Sequence, residues 1–296
     1  MAQQKVLVIL GPTASGKSDL AVRLAKRFGG EIISADSRQV YKGLDIGTGK
    51  ITKQEMRGVP HHLLDVVNPR KQFSASKYKK LADEKVRYIA QKHKLPIVVG
   101  GTGFYIDALT GRANFPEVGP NLLLRKKLEK KTASELFRML NKKDPRRAGA
   151  IDLRNKVRVI RALEIVEALG KVPQASPKPL EPSPFIYIGL KPDNLDGRIH
   201  KRLIERLDGM IREGKKLHTQ GLTYKRMHQL GLEYRYVGMY LQGKLSREEM
   251  VDKLYIEIKR YAKRQMTWFK RNKKIRWFKP EEYKKIERLV NVQLNT

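Results

Sequence analysis

The stretch that most limits what this chain can become is Gly11-Pro12-Thr13-Ala14-Ser15-Gly16-Lys17-Ser18. An apolar run, Val6-Leu7-Val8-Ile9-Leu10, precedes it, and a helix-like pattern of Leu20, Ala21, Leu24, Ala25 and Phe28 follows it. Strand, glycine-rich loop and helix, joined by G-x-x-x-x-G-K-[ST] spacing, read as a phosphate-binding loop. Gly11 and Gly16 allow the tight turn that aims backbone N–H groups at phosphate oxygens. A helix opening at Gly16 adds the positive end of its dipole. Lys17 supplies a mobile cation and Ser18 a hydroxyl for a magnesium ion. A chance glycine-rich turn would not bring strand, loop and helix into agreement. The motif implies an α/β sheet and a di- or triphosphate, without saying which molecule carries the phosphates.

The segments that follow add to the same rim. Glu31-Ile32-Ile33-Ser34-Ala35-Asp36 reads as a short strand ending in an acid. Ligands of parallel α/β sheets sit at the carboxyl ends of strands, so Asp36 is expected beside the phosphate loop. Residues 37–50 are polar and glycine-rich and predict an exposed loop with a short helix, available to substrate. His61 and His62 are adjacent and point apart, which favours packing or substrate contact over metal binding. Ser74 is a suitable cap for a helix running to about His93. Pro96-Ile97-Val98-Val99 predicts another buried strand. It ends in Gly100-Gly101-Thr102-Gly103, with no acid where an ATPase would place one for magnesium.

Charge sets the partner class. The 296 residues carry 63 Lys+Arg against 30 Asp+Glu, a net charge of +33. A polyanion such as nucleic acid accounts for that excess, a basic bias of the source organism being the alternative. Cysteine is absent, which excludes disulfides, thiolate catalysis and Cys-type zinc sites and suits a cytoplasmic protein. The first strand begins too early to leave room for a signal peptide, and no apolar run approaches the roughly 18 residues of a membrane span.

Residues 112–184 change character. Pro116 and Pro120 mark the entry, and Pro173, Pro177, Pro179, Pro182 and Pro184 the exit. Helical patterns lie between, at 121–131, 133–140, 145–150 and 156–169, with Arg154, Arg158 and Arg161 at steps of four and three. Phe185–Leu190 returns to the sheet. From Gly197 onward the pattern is helical. Ile199, Leu203, Leu207 and Ile211 form an apolar stripe, with Arg198, Arg202 and Arg206 as a second row on a polar flank. A last long helix, at about 246–272, interleaves Lys259, Arg260, Lys263, Arg264, Lys270 and Arg271 with Tyr261, Trp268 and Phe269. The basic groups are expected to meet nucleic acid, and the aromatics to lie in the core.

These residues, taken together, resemble the bacterial tRNA dimethylallyltransferases. The matching stretches are GPTASGKS (11–18), ISADSRQVYKGLDIGTGK (33–50), PHHLLD (60–65), FSASKY (73–78), PIVVGGTGFYI (96–106), VRVIRALEI (157–165) and YAKRQMTWF (261–269). They span nearly the whole chain, and the match ends by about residue 278. The resemblance implies a P-loop kinase-like parallel sheet core, at 1–111 and 185–296, with a helical C-terminal part. Residues 112–184 would be a helical insertion domain clamping the tRNA anticodon stem-loop. The activity implied is transfer of a dimethylallyl group from dimethylallyl diphosphate to the exocyclic amine of the adenosine 3′ of the anticodon. Gly11, Pro12, Thr13, Ala14, Ser15, Gly16, Lys17 and Ser18 would hold the diphosphate, with Mg²⁺ on Ser18. Asp36 would be the general base, Thr102 would orient the adenine, and Arg235, in Tyr234-Arg235, would be a second diphosphate ligand. The tRNA contacts implied are Asp36, Ser37, Arg38, Gln39, Thr102, Arg125, Val157, Arg158, Val159, Ile160, Arg161, Lys259, Arg260, Lys263 and Arg264. A monomer is expected.

One departure stands out. The family's glycine before Tyr-Arg is Glu233 here, which puts an acid beside the proposed ligand Arg235. Other readings are a P-loop kinase of a nucleoside or small metabolite, a non-catalytic RNA-binding protein with a vestigial loop, and a prenyltransferase acting on free adenine nucleotides. The long insertion and the basic last helix favour a macromolecular acceptor. Replacing Lys263 and Arg264 by Gln is expected to weaken tRNA binding and to flatten its log–log salt dependence by up to about 2. Filter binding across a salt series measures this, and an unchanged slope would place both charges off the interface.

Overall fold

The computed structural model describes residues 4–113, 116, 118–173 and 183–296. Its sheet is built from β1 (Val6–Leu10), β2 (Gly30–Ser34), β3 (His61–His62), β4 (Leu95–Gly100), β5 (Phe185–Leu190) and β6 (Arg276–Phe278). The order is β3-β2-β4-β1-β5-β6, and every pairing is parallel. The central strands are continuous apolar runs because helices cover both faces. Alternate residues go to opposite sides. Val6, Val8, Leu10 and Val98 join one core; Leu7, Ile9, Ile97 and Val99 join the other.

Helix α1 (Lys17–Phe28) covers the second face through Leu20, Ala21 and Leu24. Three further helices precede the insertion: α2 (Lys53–Met56), α3 (Ala75–Gln91) and α4 (Gly103–Leu109). The Ser74 hydroxyl accepts the Lys77 amide and so caps α3, as expected. The chain divides into two compact units, Met1–Arg112 with Pro179–Thr296, and Ala113–Lys178. The smaller unit holds α5 (Leu122–Glu129), α6 (Ala133–Lys143), α7 (Pro145–Gly149) and α8 (Lys156–Leu169) around Leu128, Leu136, Leu140, Val159 and Leu163. Pro177, Pro179 and Pro182, taken as its exit, lie outside the described residues. The larger unit continues with α9 (Leu195–Thr219), α10 (Tyr224–Leu230), α11 (Leu232–Leu241), α12 (Arg247–Phe269) and α13 (Tyr283–Asn295).

Three local expectations change. Residues 37–50 contain turns and no helix; the nearby short helix is α2, set by a Thr52–Glu55 capping box. The reason is a carboxylate: Glu213 on α9 accepts the amides of Asp45, Ile46 and Gly47, fixing them in a turn. The C-terminal part is not wholly helical, since β6 adds a sixth strand beside β5. Three residues are too few to show a strand period. Their place depends on Gly189, where a β-carbon would lie 2.5 Å from the Trp277 ring. Arg154 lies before α8, whose N-cap is Asn155, so it does not continue the row of Arg158 and Arg161.

Glu31 is the one acid buried in the sheet, 1% exposed. Its carboxylate meets His62 Nε2 at 2.7 Å and Lys94 Nζ at 2.8 Å. Burial acts to raise its pKa, but the hydrogen bonds from Lys94 and His62 and the nearby lysine charges prevail, and the net displacement is downward. A depressed folded value means stability present above the ordinary carboxylate range and lost as pH falls through it. Glu31→Gln is therefore expected to cost about 2 kcal/mol at pH 7. In thermal melts the gap to the parent protein should close below the carboxylate range; a gap independent of pH would show that the charge is not what matters.

Candidate functional site

The carboxyl ends of β1, β2 and β4 meet at one cavity of about 400 Å³. Backbone contact makes this possible. A β-carbon at Gly100 would sit 2.1 Å from the Ala35 carbonyl oxygen, so only glycine lets β4 end against the β2 turn. The loop between β1 and α1 takes a left-handed step at Gly16, φ 90°, where glycine carries no side-chain penalty. Thr13 to Ser18 line the cavity, while Gly11 and Pro12 are buried beneath them.

Gln265, buried on α12, ties the loop in place. Its Oε1 accepts the Thr13 amide at 2.9 Å, and its Nε2 donates to the Gly101 carbonyl at 2.9 Å. Lys17 Nζ donates to the Pro12 carbonyl at 3.1 Å. Burial lowers the Lys17 ammonium to about 8, against the attraction of Asp36 and with added repulsion from Arg202.

Asp36 lines the cavity two residues beyond β2. Its Oδ1 accepts the amides of Arg38, at 2.8 Å, and Gln39, at 3.4 Å, which fixes the carboxylate's direction. Arg38 and Gln39 also line the cavity. Ser37 donates its amide to Thr102 Oγ1 at 3.0 Å. Thr102 also shares a hydrogen bond with Tyr261, a residue of the cavity wall and not of the core as expected. Phe269 does lie in the core. His61 reaches the cavity and bonds the Val59 carbonyl, and His62 serves Glu31.

The structure does not bring Arg235 to this cavity. Residues of a helix turn about 100° each. Glu233 faces the cavity from the first turn of α11, so Arg235, two positions on, faces elsewhere, its Nε near the His228 carbonyl. Burial pushes the Glu233 carboxyl up, while Arg206 and Arg38 pull it back. The cations that do line the cavity from a distant segment are Arg198, Arg202 and Arg206 of α9. Their spacing was visible in the sequence as a row; which side of the helix met the phosphate loop was not.

The proposed tRNA residues divide in a similar way. Arg125 forms a two-pronged ion pair with the buried Glu164, at 2.7 and 2.9 Å. Arg161 also reaches Glu164 and donates to the Val118 carbonyl. Val159 and Ile160 are 0% and 5% exposed, in the core of the smaller unit. These four hold the insertion together. Val157 and Arg158 are exposed. In α12, Lys259 pairs with Asp196 and Arg260 with Glu257, whereas Lys263 and Arg264 are exposed and form no ion pair with described residues.

With the Lys17 ammonium near 8, binding of a diphosphate ester is expected to hold through neutral pH. Above about 8 it should weaken by at most tenfold per pH unit, one proton's worth. Calorimetric titration from pH 6.5 to 9.5 measures this. Lys17→Arg should remove the alkaline fall, and a fall that persists would assign it to another group.

The sequence profile described as IPP transferase matches residues 39–272. The chain is similar to a tRNA dimethylallyltransferase of Pelotomaculum thermopropionicum, 41% identical over 300 residues and covering 97% of this chain and 95% of that protein. It is 40% identical to one of Anoxybacillus flavithermus, covering 97% and 94%. Among solved structures, the tRNA isopentenylpyrophosphate transferase of Bacillus halodurans superimposes with a TM-score of 0.74 at 37% identity, covering 99% of this chain and 97% of that one. A eukaryotic dimethylallyltransferase acting on tRNA gives 0.80 at 27% identity, covering 94% and 74%. A parallel sheet with a phosphate loop after β1, matched over nearly the full length by these proteins, makes the chain a member of the tRNA dimethylallyltransferase family, with that family's P-loop kinase-like fold.

Proposed function

We propose that this chain transfers a dimethylallyl group from dimethylallyl diphosphate to the exocyclic amine of the adenosine 3′ of a tRNA anticodon, releasing diphosphate. The observation that carries the reading is a single cavity holding the phosphate loop, Lys17 and Asp36 together. In the reaction the allylic C–O bond breaks, its electron pair leaves with the diphosphate, and the amine nitrogen bonds to the freed carbon. Negative charge grows on the diphosphate, which Lys17 and the first amides of α1, at Lys17 and Ser18, would meet at the cavity wall. Asp36, with Oδ1 held by two amides, accepts the amine proton on Oδ2.

A magnesium ion suits the donors present. Ser18 is an exposed hydroxyl on the cavity wall. No group of three or more His, Cys, Asp or Glu that could hold a metal occurs among the described residues. Mg²⁺ commonly takes one or two protein oxygens, phosphate oxygens and water. Bound there, it would neutralise charge on the diphosphate.

The exposed Val157 and Arg158 of α8, and Lys263 and Arg264 of α12, are the surfaces we assign to tRNA, in line with the net charge of +33. No helix among the described residues is long and apolar enough to cross a membrane.

The test is incubation with unmodified tRNA and dimethylallyl diphosphate, with and without Mg²⁺, followed by mass analysis of nucleosides. A single prenylated adenosine is expected, and none with ATP as donor. Asp36→Ala should retain tRNA affinity and lose turnover by about 10² or more; near-normal turnover would remove Asp36 as the base.

A further inference from the structure

We propose that the ring of Phe104, at the start of α4, stacks on the base of a nucleotide next to the target adenosine and so holds that adenosine out of the anticodon-loop stack. The proposal rests on the function proposed above. It names a residue that neither the charge pattern nor the family resemblance put at the RNA.

Phe104 is the second residue of α4, whose N-cap Thr102 shares a hydrogen bond with Tyr261 of the cavity wall. It is 44% exposed, although phenylalanine is among the residues most often buried. The indole of Trp268 supports it from one side. The two ring centroids lie 6.0 Å apart with their planes at 79°, an edge-to-face contact that occupies at most one face of the Phe104 ring. Trp268 is itself fixed. Its Nε1 donates to Asp107 at 2.8 Å. The indole lies so close to α4 that a β-carbon at Gly103 would fall 2.2 Å from it.

Helix α12 carries this arrangement out of the cavity. Ile258, Tyr261 and Gln265 line the cavity, and Trp268, about one turn beyond Gln265, lies past its edge. Tyr261, Arg264 and Trp268 follow one another at steps of three and four, so they share one helix face. The Arg264 guanidinium lies 6.0 Å from the Tyr261 ring, and that of Arg271 lies 4.7 Å from the Trp268 ring. Both arginines are exposed, as are Lys263 and Lys270. An exposed aromatic ring edged by cations suits an unstacked base and its phosphate better than an apolar protein surface. The reaction supplies such a base. The amine reaches Asp36 only after its adenine leaves the loop stack, and each neighbouring nucleotide then loses a stacked partner. A ring held at the cavity edge replaces one of those partners.

The experiment compares Phe104→Ala, Phe104→Trp and, as a control, Tyr88→Ala, which removes a 42% exposed ring on α3 outside the cavity lining. Thermal melts first establish that each is folded. The probe is an anticodon stem-loop RNA with the fluorescent base 2-aminopurine placed 5′ or 3′ of the target adenosine. Binding to the parent protein is expected to quench one of the two. Phe104→Ala should lose that quenching and raise KM for the RNA about tenfold, with dimethylallyl diphosphate affinity within about twofold of the parent. Phe104→Trp should keep the quenching, and Tyr88→Ala should behave as the parent. An abasic nucleotide at the quenched position should weaken RNA binding by the parent and cost Phe104→Ala nothing further. Parent-like quenching and KM in Phe104→Ala, or an abasic penalty equal in both proteins, would overturn the proposal while leaving the proposed function standing. If the parent binds the RNA but transfers no prenyl group, the proposed function falls and the quenching alone decides Phe104. If the parent binds no RNA, both fall.

Discussion

The site depends on holding a short glycine-rich backbone loop still at the end of β1. A loop of this kind works only if its N–H groups already converge, because reorganising them on binding would consume the interaction they provide. Three restraints do this here. Gly100 lets β4 end against the β2 turn. Gln265 spans from the Thr13 amide to the Gly101 carbonyl. Arg198 ties the Ala14 carbonyl to α9. Two of the three come from helices more than 180 residues away in the chain, so the loop's geometry is a property of the finished fold.

Electrostatics reinforce the point. Most of the excess positive charge is on exposed lysines and arginines, where single ion pairs such as Lys259–Asp196 contribute little to stability. At the cavity burial dominates: it lowers the Lys17 ammonium to about 8, and the neighbouring charge of Arg202 adds to the effect. A buried cation of this kind is unfavourable in the empty protein. It is the kind of local cost that proteins accept at functional sites.

The smaller unit shows the opposite use of charge. Glu164, buried among apolar residues of α8, gathers Arg125, Arg161 and the Asn121 amide. Removing any one of these partners would leave part of a buried carboxylate uncompensated. Arginines that match a tRNA-contacting stretch in sequence therefore serve here to fix α5 against α8. Val157 and Arg158, at the start of α8, stay exposed.

The sequence by itself determined the α/β class, the glycine-rich turn between β1 and α1, the capped helix after Ser74, the helical insertion and the placing of Asp36 beside that turn. Each of these rests on local chemistry: glycine spacing, apolar runs, a capping hydroxyl, or the rule that parallel sheets bind at their carboxyl ends. Only the tertiary structure decided the rest. It showed that the Arg198–Arg206 row faces the loop, that Glu233 and not Arg235 enters the cavity, and that Tyr261 belongs to the wall. It also placed the three-residue β6 beside Gly189 and committed Arg125 to Glu164. Periodicity gives the spacing of a helix's faces but not which neighbour each face meets. That choice is made by packing between segments far apart in the chain, and a lone sequence does not record it.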